Sequence, residues 1–452
     1  MLKVTGVLQR HTQLLILLGA TAGAVLAGLQ LVRILSSDQE VYIVLGLVDL
    51  VLSFVFYPFG ILQFVFLSLI GGPAFGQEVE FTAVKLLGFV VAFRRLVDLM
   101  GGTRLRIASV PTVKWAALFV LSLSISLVSS RDIWESLAHV LTYVQLLIML
   151  VLVIEFVRSE RQLAWLLPVF VLSGLANTGF ALYEFYVEGA ARVYGMVENA
   201  NRFGMLQLTL LALILPTIGS LASRWRSLLA LAVSGLIGYS LLLSLSRGTF
   251  IAATGVILYY FLFLRVGGFR RKVVIALAVM VALWIAPETF YRRVEMIPNL
   301  LSGVPYRLDS SSETRLTYAR AGIRMGMDHP LTGVGLSQFN AHLWSYTHLP
   351  RIHASAHNMY ISVFAEAGAI SVVLFLALLV SSLRSARSYR TPAWVGSRFV
   401  TAMAMGVELG LVSLLIGGLW GTLEYSKATW MMFAFAVAVR EMGMQKIGSN
   451  GT

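Results

Sequence analysis

Cysteine is absent from the 452 residues, which excludes disulfides, thiolate metal sites and a cysteine nucleophile. Charge is scarce: 13% of the chain is Asp, Glu, Lys or Arg, against about 25% in a soluble domain. With 58% hydrophobic residues and a mean hydropathy of +0.81, such a chain cannot hide its apolar surface in water, and the bilayer is its solvent. There is no internal repeat and no low-complexity segment. No cleavable signal peptide is evident, since the first apolar run, 14–33, is long enough to span. The formal charge of +13 would point a soluble protein toward nucleic acid. Here the collection of Arg and Lys in cytoplasmic loops accounts for it, and no nucleic-acid partner is expected.

Apolar runs near bilayer length recur from 14–33 to 426–440. They predict an all-α polytopic membrane protein of roughly twelve to fourteen spans, with residues 1–452 forming one membrane domain. The run at 59–72 is short and is expected to pair with its neighbour through a turn at Tyr57-Pro58-Phe59-Gly60. Basic clusters at Arg94/Arg95/Arg104/Arg106, Arg158/Arg161, Arg224/Arg226, Arg265/Arg270/Arg271/Lys272 and Arg384/Arg387/Arg390 should face the cytoplasm, with both termini. The alternate loops then face out, and one of them, 287–356, is large enough to form an extramembrane lobe.

That loop departs from the rest. It holds Arg292, Arg293, Arg307, Arg315, Arg320, Arg324 and Arg351 but no lysine, and five of the seven histidines fall between 329 and 357. An arginine-rich outer loop runs against the positive-inside trend and suggests anion binding; charge balance by Glu288, Glu295, Asp309, Glu313 and Asp328 is the plainer reading. Ser310 to Glu313 has capping-box spacing, so a short helix is expected over about 313–327, stopped by Asp328-His329-Pro330. Arg320 and Arg324 share one face of that helix; Arg315 lies half a turn away, so the three cannot all point at one anion.

Four constellations could carry chemistry. In Ser244-Leu245-Ser246-Arg247-Gly248-Thr249, Arg247 sits between two apolar runs at their outer ends. It reads as a bidentate phosphate clamp or as a snorkelling interface residue. A second outer loop carries Arg192, Asn199, Asn201 and Arg202. The Pro- and Gly-punctuated stretch Asp328-His329-Pro330-Leu331-Thr332-Gly333-Val334-Gly335 is a tight turn that aims the preceding helix at the membrane. Finally, His353-Ala354-Ser355-Ala356-His357-Asn358 leads straight into a spanning run. His353 and His357 four apart could share a metal, but no third ligand is near and no acid lies between them, so no metal is expected. A neutral His357 beside arginines, whose charge lowers its pKa, is a general-base candidate; a helix-entrance residue with no chemical role is the alternative.

At these residues the chain resembles the O-antigen ligase and polymerase superfamily. The resemblance covers roughly 190–385. It rests on the Asn-rich turn with Arg202, on Ser246-Arg247-Gly248, on the 328–335 turn, and on His357-Asn358 with Glu366-Ala367-Gly368. It implies a GT-C-like glycosyltransferase of the bacterial inner membrane with its site at the periplasmic face. The donor would be an undecaprenyl-pyrophosphate-linked glycan, with no metal, nucleotide sugar or other cofactor. Carried over by residue, Arg247 and Arg315 would hold the pyrophosphate and His357 would activate the acceptor hydroxyl. Arg202, Arg320, Arg192 and Asn358 would line the substrate. The acceptor would be lipid A-core in a ligase, or a second carrier-linked repeat in a polymerase. A single large outer loop favours the ligase. A polytopic anion transporter or flippase is the reading from another class, and it would predict charged or polar residues at helix midpoints.

Overall fold

The computed structural model describes residues 39–70, 83–103, 110–264 apart from 198 and 222, 310–347 and 355–448, with isolated positions between 273 and 291. The first apolar run, most of 265–309 (including Arg265, Arg270, Arg271, Lys272, Arg292, Arg293 and Arg307), Arg104, Arg106, His348, Arg351 and His353 lie outside the described residues.

Among the described residues the protein is all-α, with fourteen helices and no strand. In chain order they are α1 Gln39–Val55, α2 Tyr57–Ile70, α3 Ala83–Met100, α4 Pro111–Leu123, α5 Ile133–Phe156, α6 Glu160–Tyr186, α7 Ala200–Thr217, α8 Arg224–Leu243, α9 Arg247–Phe263, α10 Ser310–Asp328, α11 Phe339–Thr347, α12 Met359–Ala386, α13 Arg398–Gly417 and α14 Lys427–Gly448. Short 3-10 turns extend α4 to Ser129, α7 to Ser220 and α12 to Arg390. Seven of these helices are long and apolar enough to cross a membrane: α4 to α8, α12 and α13. Within α1, α2 and α9 lie three shorter apolar stretches. The protein is therefore a polytopic membrane protein. The turn between α1 and α2 falls at Phe56, one residue earlier than expected, and Tyr57–Gly60 is already the first turn of α2. Proline is tolerated there because that turn's N–H groups have no helical partner.

Local sequence sets where the helices start. Asp132, Ser159, Asn199, Ser246, Asn358 and Ser397 each cap a helix, the side-chain oxygen accepting from backbone N–H groups of the first turn. The core is built on α7, α13 and α14. From Thr429 to Val439 every residue of α14 is buried, as expected for a helix apolar all round. Along α13, Gly406, Gly410 and Gly417 meet the Ala212–Leu213 backbone, Met432 and Met205, the close approach that small residues permit between membrane helices.

The two ends of the bundle differ in character. At one end Arg95 and Arg158 pair with the buried Glu155, and Arg387 and Arg390 pair with the fully buried Glu408. At the other end sit α10 and α11. Helix α10 runs from Ser310, so Ser310 lies within it rather than ahead of it, and it stops at Asp328 before His329-Pro330.

The 329–335 turn locks into α12, which is broken at Gly368 (φ 77°, ψ −178°). Across the break, Val334 N donates to Ala365 O at 2.8 Å, Gly335 N to Glu366 O at 3.2 Å, and Ala369 N to Pro330 O at 2.7 Å. A Cβ on Gly333 would sit 2.2 Å from the Glu366 carbonyl carbon, and one on Gly368 would sit 2.6 Å from that of Leu331. Both positions need glycine for space and for positive φ. The Glu366 carboxylate accepts from Ser337 N at 3.1 Å and Phe339 N at 3.3 Å, holding the start of α11. Neighbouring residues rest on the α4–α5 corner: Ser129 Oγ donates to Gly333 O and Ser136 Oγ to Leu336 O, each at 2.7 Å.

Candidate functional site

Three helix N-termini surround one loop. Helices α7, α9 and α12 all begin at the α10 end of the bundle, and the α13–α14 connection, 418–426, runs between them. Met359 N donates to Gly418 O at 2.8 Å and Asn358 Nδ2 to Leu419 O at 3.2 Å. Gly248, the second residue of α9, packs on Trp420. From the first turn of α7, Arg202 Nη2 donates to Tyr425 Oη and reaches Thr422 Oγ1 at 3.5 Å, and its guanidinium carbon lies 5.2 Å from the Tyr425 ring centroid. Helix N-termini carry a partial positive charge. Three of them with added arginines concentrate positive charge at this end, an arrangement suited to an anion.

Arg192 is engaged in building the surface. It donates to Ser244 O at 2.9 Å and to Asn201 Oδ1 at 3.0 Å, and Asn201 Oδ1 also accepts from Ser246 Oγ at 2.7 Å. That network ties the starts of α7 and α9 together and carries the half-buried Arg247 as the first residue of α9.

His357 lies at the mouth of α12, half-buried, with φ 49°. A left-handed conformation at a non-glycine residue costs energy and concentrates at functional positions. Its ring stacks on Tyr318 of α10, with centroids 6.4 Å apart and planes 13° apart. Burial, then the charges of Arg315 and Arg202, lowers its pKa to about 4. Burial is the larger cause, ahead of the arginines expected from the sequence. Asn358 caps α12, accepting from Tyr360 N and Ile361 N at 3.0 and 3.1 Å.

Thus Arg202, Arg315, His357 and Asn358 come together, with Arg192 in support behind Arg202 and Arg247. Arg320 is not brought to this group: it lies on the exposed face of α10 with Arg324, while Tyr318, Ala321, Met325 and Gly326 face inward. Among the described residues, no set of three or more His, Asp or Glu side chains could hold a metal ion.

Sequence reasoning missed Glu424 and Tyr425. Glu424 is 4% exposed, and its Oε2 has no hydrogen-bond partner among the described residues. Burial, opposed by a hydrogen bond from its own backbone N–H and by Arg202 and Ser362 and reinforced by Glu366, raises its pKa to about 8. The shift favours the protonated acid beside the arginine-bearing surface. The signal available was an acid flanked by Trp420 and Tyr425 in the last polar break between apolar runs.

A neutral imidazole, guanidinium groups and three converging helix ends suit a site that holds a diphosphate and takes a proton from a hydroxyl. The fold and this surface define the class: an all-α, multi-pass membrane protein with a basic site at one end of its bundle. Residues 232–376, about a third of the chain, match the family model described as O-antigen ligase, and over that stretch the chain is similar to that family. The matched stretch contains Arg247, α10, the 328–335 turn, His357 and Gly368; Arg202, Glu424 and Tyr425 lie outside it. No curated protein matches the chain.

Proposed function

We propose that the protein is a metal-independent, inverting glycosyltransferase that moves an O-antigen-type glycan from undecaprenyl pyrophosphate to a lipid A-core hydroxyl at the periplasmic face of the bacterial inner membrane. The carrying observation is His357, held neutral by burial and by Arg315 and Arg202 at the meeting point of three helix N-termini.

The acceptor oxygen attacks the anomeric carbon from the face opposite the diphosphate. As the new C–O bond forms, the bond to the diphosphate oxygen breaks, and the leaving group keeps the electron pair. Arg247, Arg315 and Arg202 stabilise that charge, which is why no metal is needed. His357 takes the hydroxyl proton. A pKa of about 4 makes the imidazole a weak base in the empty site. A bound diphosphate offsets the two guanidinium charges and raises its basicity when the donor is present. Arg192 and Asn358 position the surface through α7, α9 and α12.

The α6–α7 connection, residues 187–199, is too short to be a second large outer loop, which supports ligation over polymerisation. The test is to incubate purified protein in lipid with a carrier-linked glycan. Conjugate is expected with lipid A-core as acceptor. Product only with a second carrier-linked unit would make the protein a polymerase. No product with either acceptor, together with glycan movement across sealed vesicles, would make it a transporter.

A further inference from the structure

At the end of the bundle opposite His357, a cavity of about 530 Å³ opens between α4, α12 and α14. Its wall is apolar and faces outward: Trp115 is 37% exposed, Leu376 42% and Val380 47%. Its inner edge is hydroxylic, with Ser381 and Ser385 both within reach of the buried Thr112 Oγ1, at 2.8 and 3.3 Å. At its polar end stand the exposed Arg384 and the half-buried Arg440. Neither has a carboxylate partner among the described residues, whereas one turn further on Arg387 and Arg390 are both paired with Glu408. Pro111, the first residue of α4, borders the same cavity, and that helix begins at Val110 with no side-chain cap.

We infer that this cavity is a binding site for an acidic glycerophospholipid, its phosphate held by Arg384 and Arg440 and its acyl chain laid along Trp115, Leu376 and Val380.

The chemistry favours a lipid over a soluble anion. A free phosphate would use the guanidiniums and the uncapped helix start but would leave the apolar wall without a function. The lipid fills both, with one headgroup at the polar end and one chain beside a stripe of α12 four residues per turn apart. Arginine presents a planar fork that grips phosphate oxygens in pairs. Paired basic residues between membrane helices at one leaflet have the composition expected of an anionic headgroup pocket. The site also explains why Arg384 and Arg440 have no acidic partner among the described residues while Arg387 and Arg390 are neutralised by Glu408.

The experiment uses the full chain in neutral detergent. Phosphatidylglycerol should raise the melting temperature of wild type in a saturable way; phosphatidylcholine and inorganic phosphate should not. In the Arg384→Gln/Arg440→Gln variant, the apparent affinity for phosphatidylglycerol should fall at least about tenfold, a ratio worth about 1.4 kcal/mol. Ala377→Trp, which fills the wall and leaves both arginines in place, should do the same. Should those variants fold poorly, native mass spectrometry of wild type released from mixed-lipid nanodiscs should show phosphatidylglycerol retained over phosphatidylcholine. An equal response to phosphatidylcholine, an unchanged response in the charge variant, or the same shift from inorganic phosphate would each overturn the inference. Stronger binding of a polyprenyl phosphate than of phosphatidylglycerol would also overturn it.

Discussion

The imidazole of His357, at the mouth of α12, lies over the ring of Tyr318 from α10, the planes only 13° apart. The contact puts an aromatic wall on one side of the group assigned as base, with Arg315 and Arg202 close enough to lower its pKa. Sequence neighbours alone could not make this pair, since 39 positions separate them.

His357→Ala should reduce glycan transfer by about 10²–10⁴-fold, the range for loss of a general base. The pH profile carries the sign. The base works unprotonated, so kcat/KM, which reports the unliganded enzyme, should rise with pH through about 4 and lie flat above it. Donor binding cancels part of the arginine repulsion, so the limb in kcat should lie at higher pH than the limb in kcat/KM. Coincident limbs in both parameters would remove the electrostatic account of the site.

Arg202 combines charge with stacking on Tyr425. Arg202→Lys keeps the charge and loses the fork and the stack. It should lower kcat/KM by about 10–10³-fold, overlapping the loss on removal of one preorganised donor, with expression and melting close to wild type. Arg320→Ala, on the exposed face of α10, should stay within a few-fold of wild type. Steady-state kinetics with carrier-linked glycan separates the two.

Gly333→Ala and Gly368→Ala should each destabilise the fold by about 1–3 kcal/mol from the backbone conformation alone, and by more because the new Cβ would strike backbone atoms. Gly179→Ala, where nothing lies within 4 Å, should leave stability unchanged or slightly raised, since alanine is the better helix former. Thermal melts in detergent read the comparison. Equal melting of all three variants would mean that the turn and α12 are not locked together.

A cysteine placed at Met327, exposed on α10, should react with a membrane-impermeant maleimide in intact spheroplasts. One at Thr391, at the other end, should react only after lysis. The chain has no native cysteine to confuse the result. The reverse pattern would turn the protein over in the membrane.

Much of this architecture was readable from local chemistry. Proline and glycine mark the 328–335 turn, Asp and Asn mark helix starts, and apolar run lengths mark the spans. The break in α12 was not readable, because a lone glycine in a long apolar run is ordinarily tolerated within a helix. What makes Gly368 a break is the Pro330–Gly335 backbone arriving from outside. The partnership of Arg202 with Tyr425 was hidden for the same reason: 223 positions separate them, and no periodicity links them. The start of α10 at Ser310 shows a limit of the capping signal: Ser310 alone stands three residues before Glu313, yet it lies inside the helix.

The interruption at Gly368 divides α12 into two mechanical parts. Its first nine residues, 359–367, are clasped by α10, whose Gly322 and Gly326 sit against Ile361 and Phe364, and by the turn that follows α10. The remainder, from Ala369, runs on among α4, α13 and α14. The Pro330–Gly335 backbone is bonded to α12 on both sides of the break, at Ala365 and Glu366 before it and at Ala369 after it, so the two parts are held at a fixed angle. The carbonyls that the bend frees are taken up by Val334 N and Gly335 N, so α12 changes direction there without leaving those backbone groups unpaired.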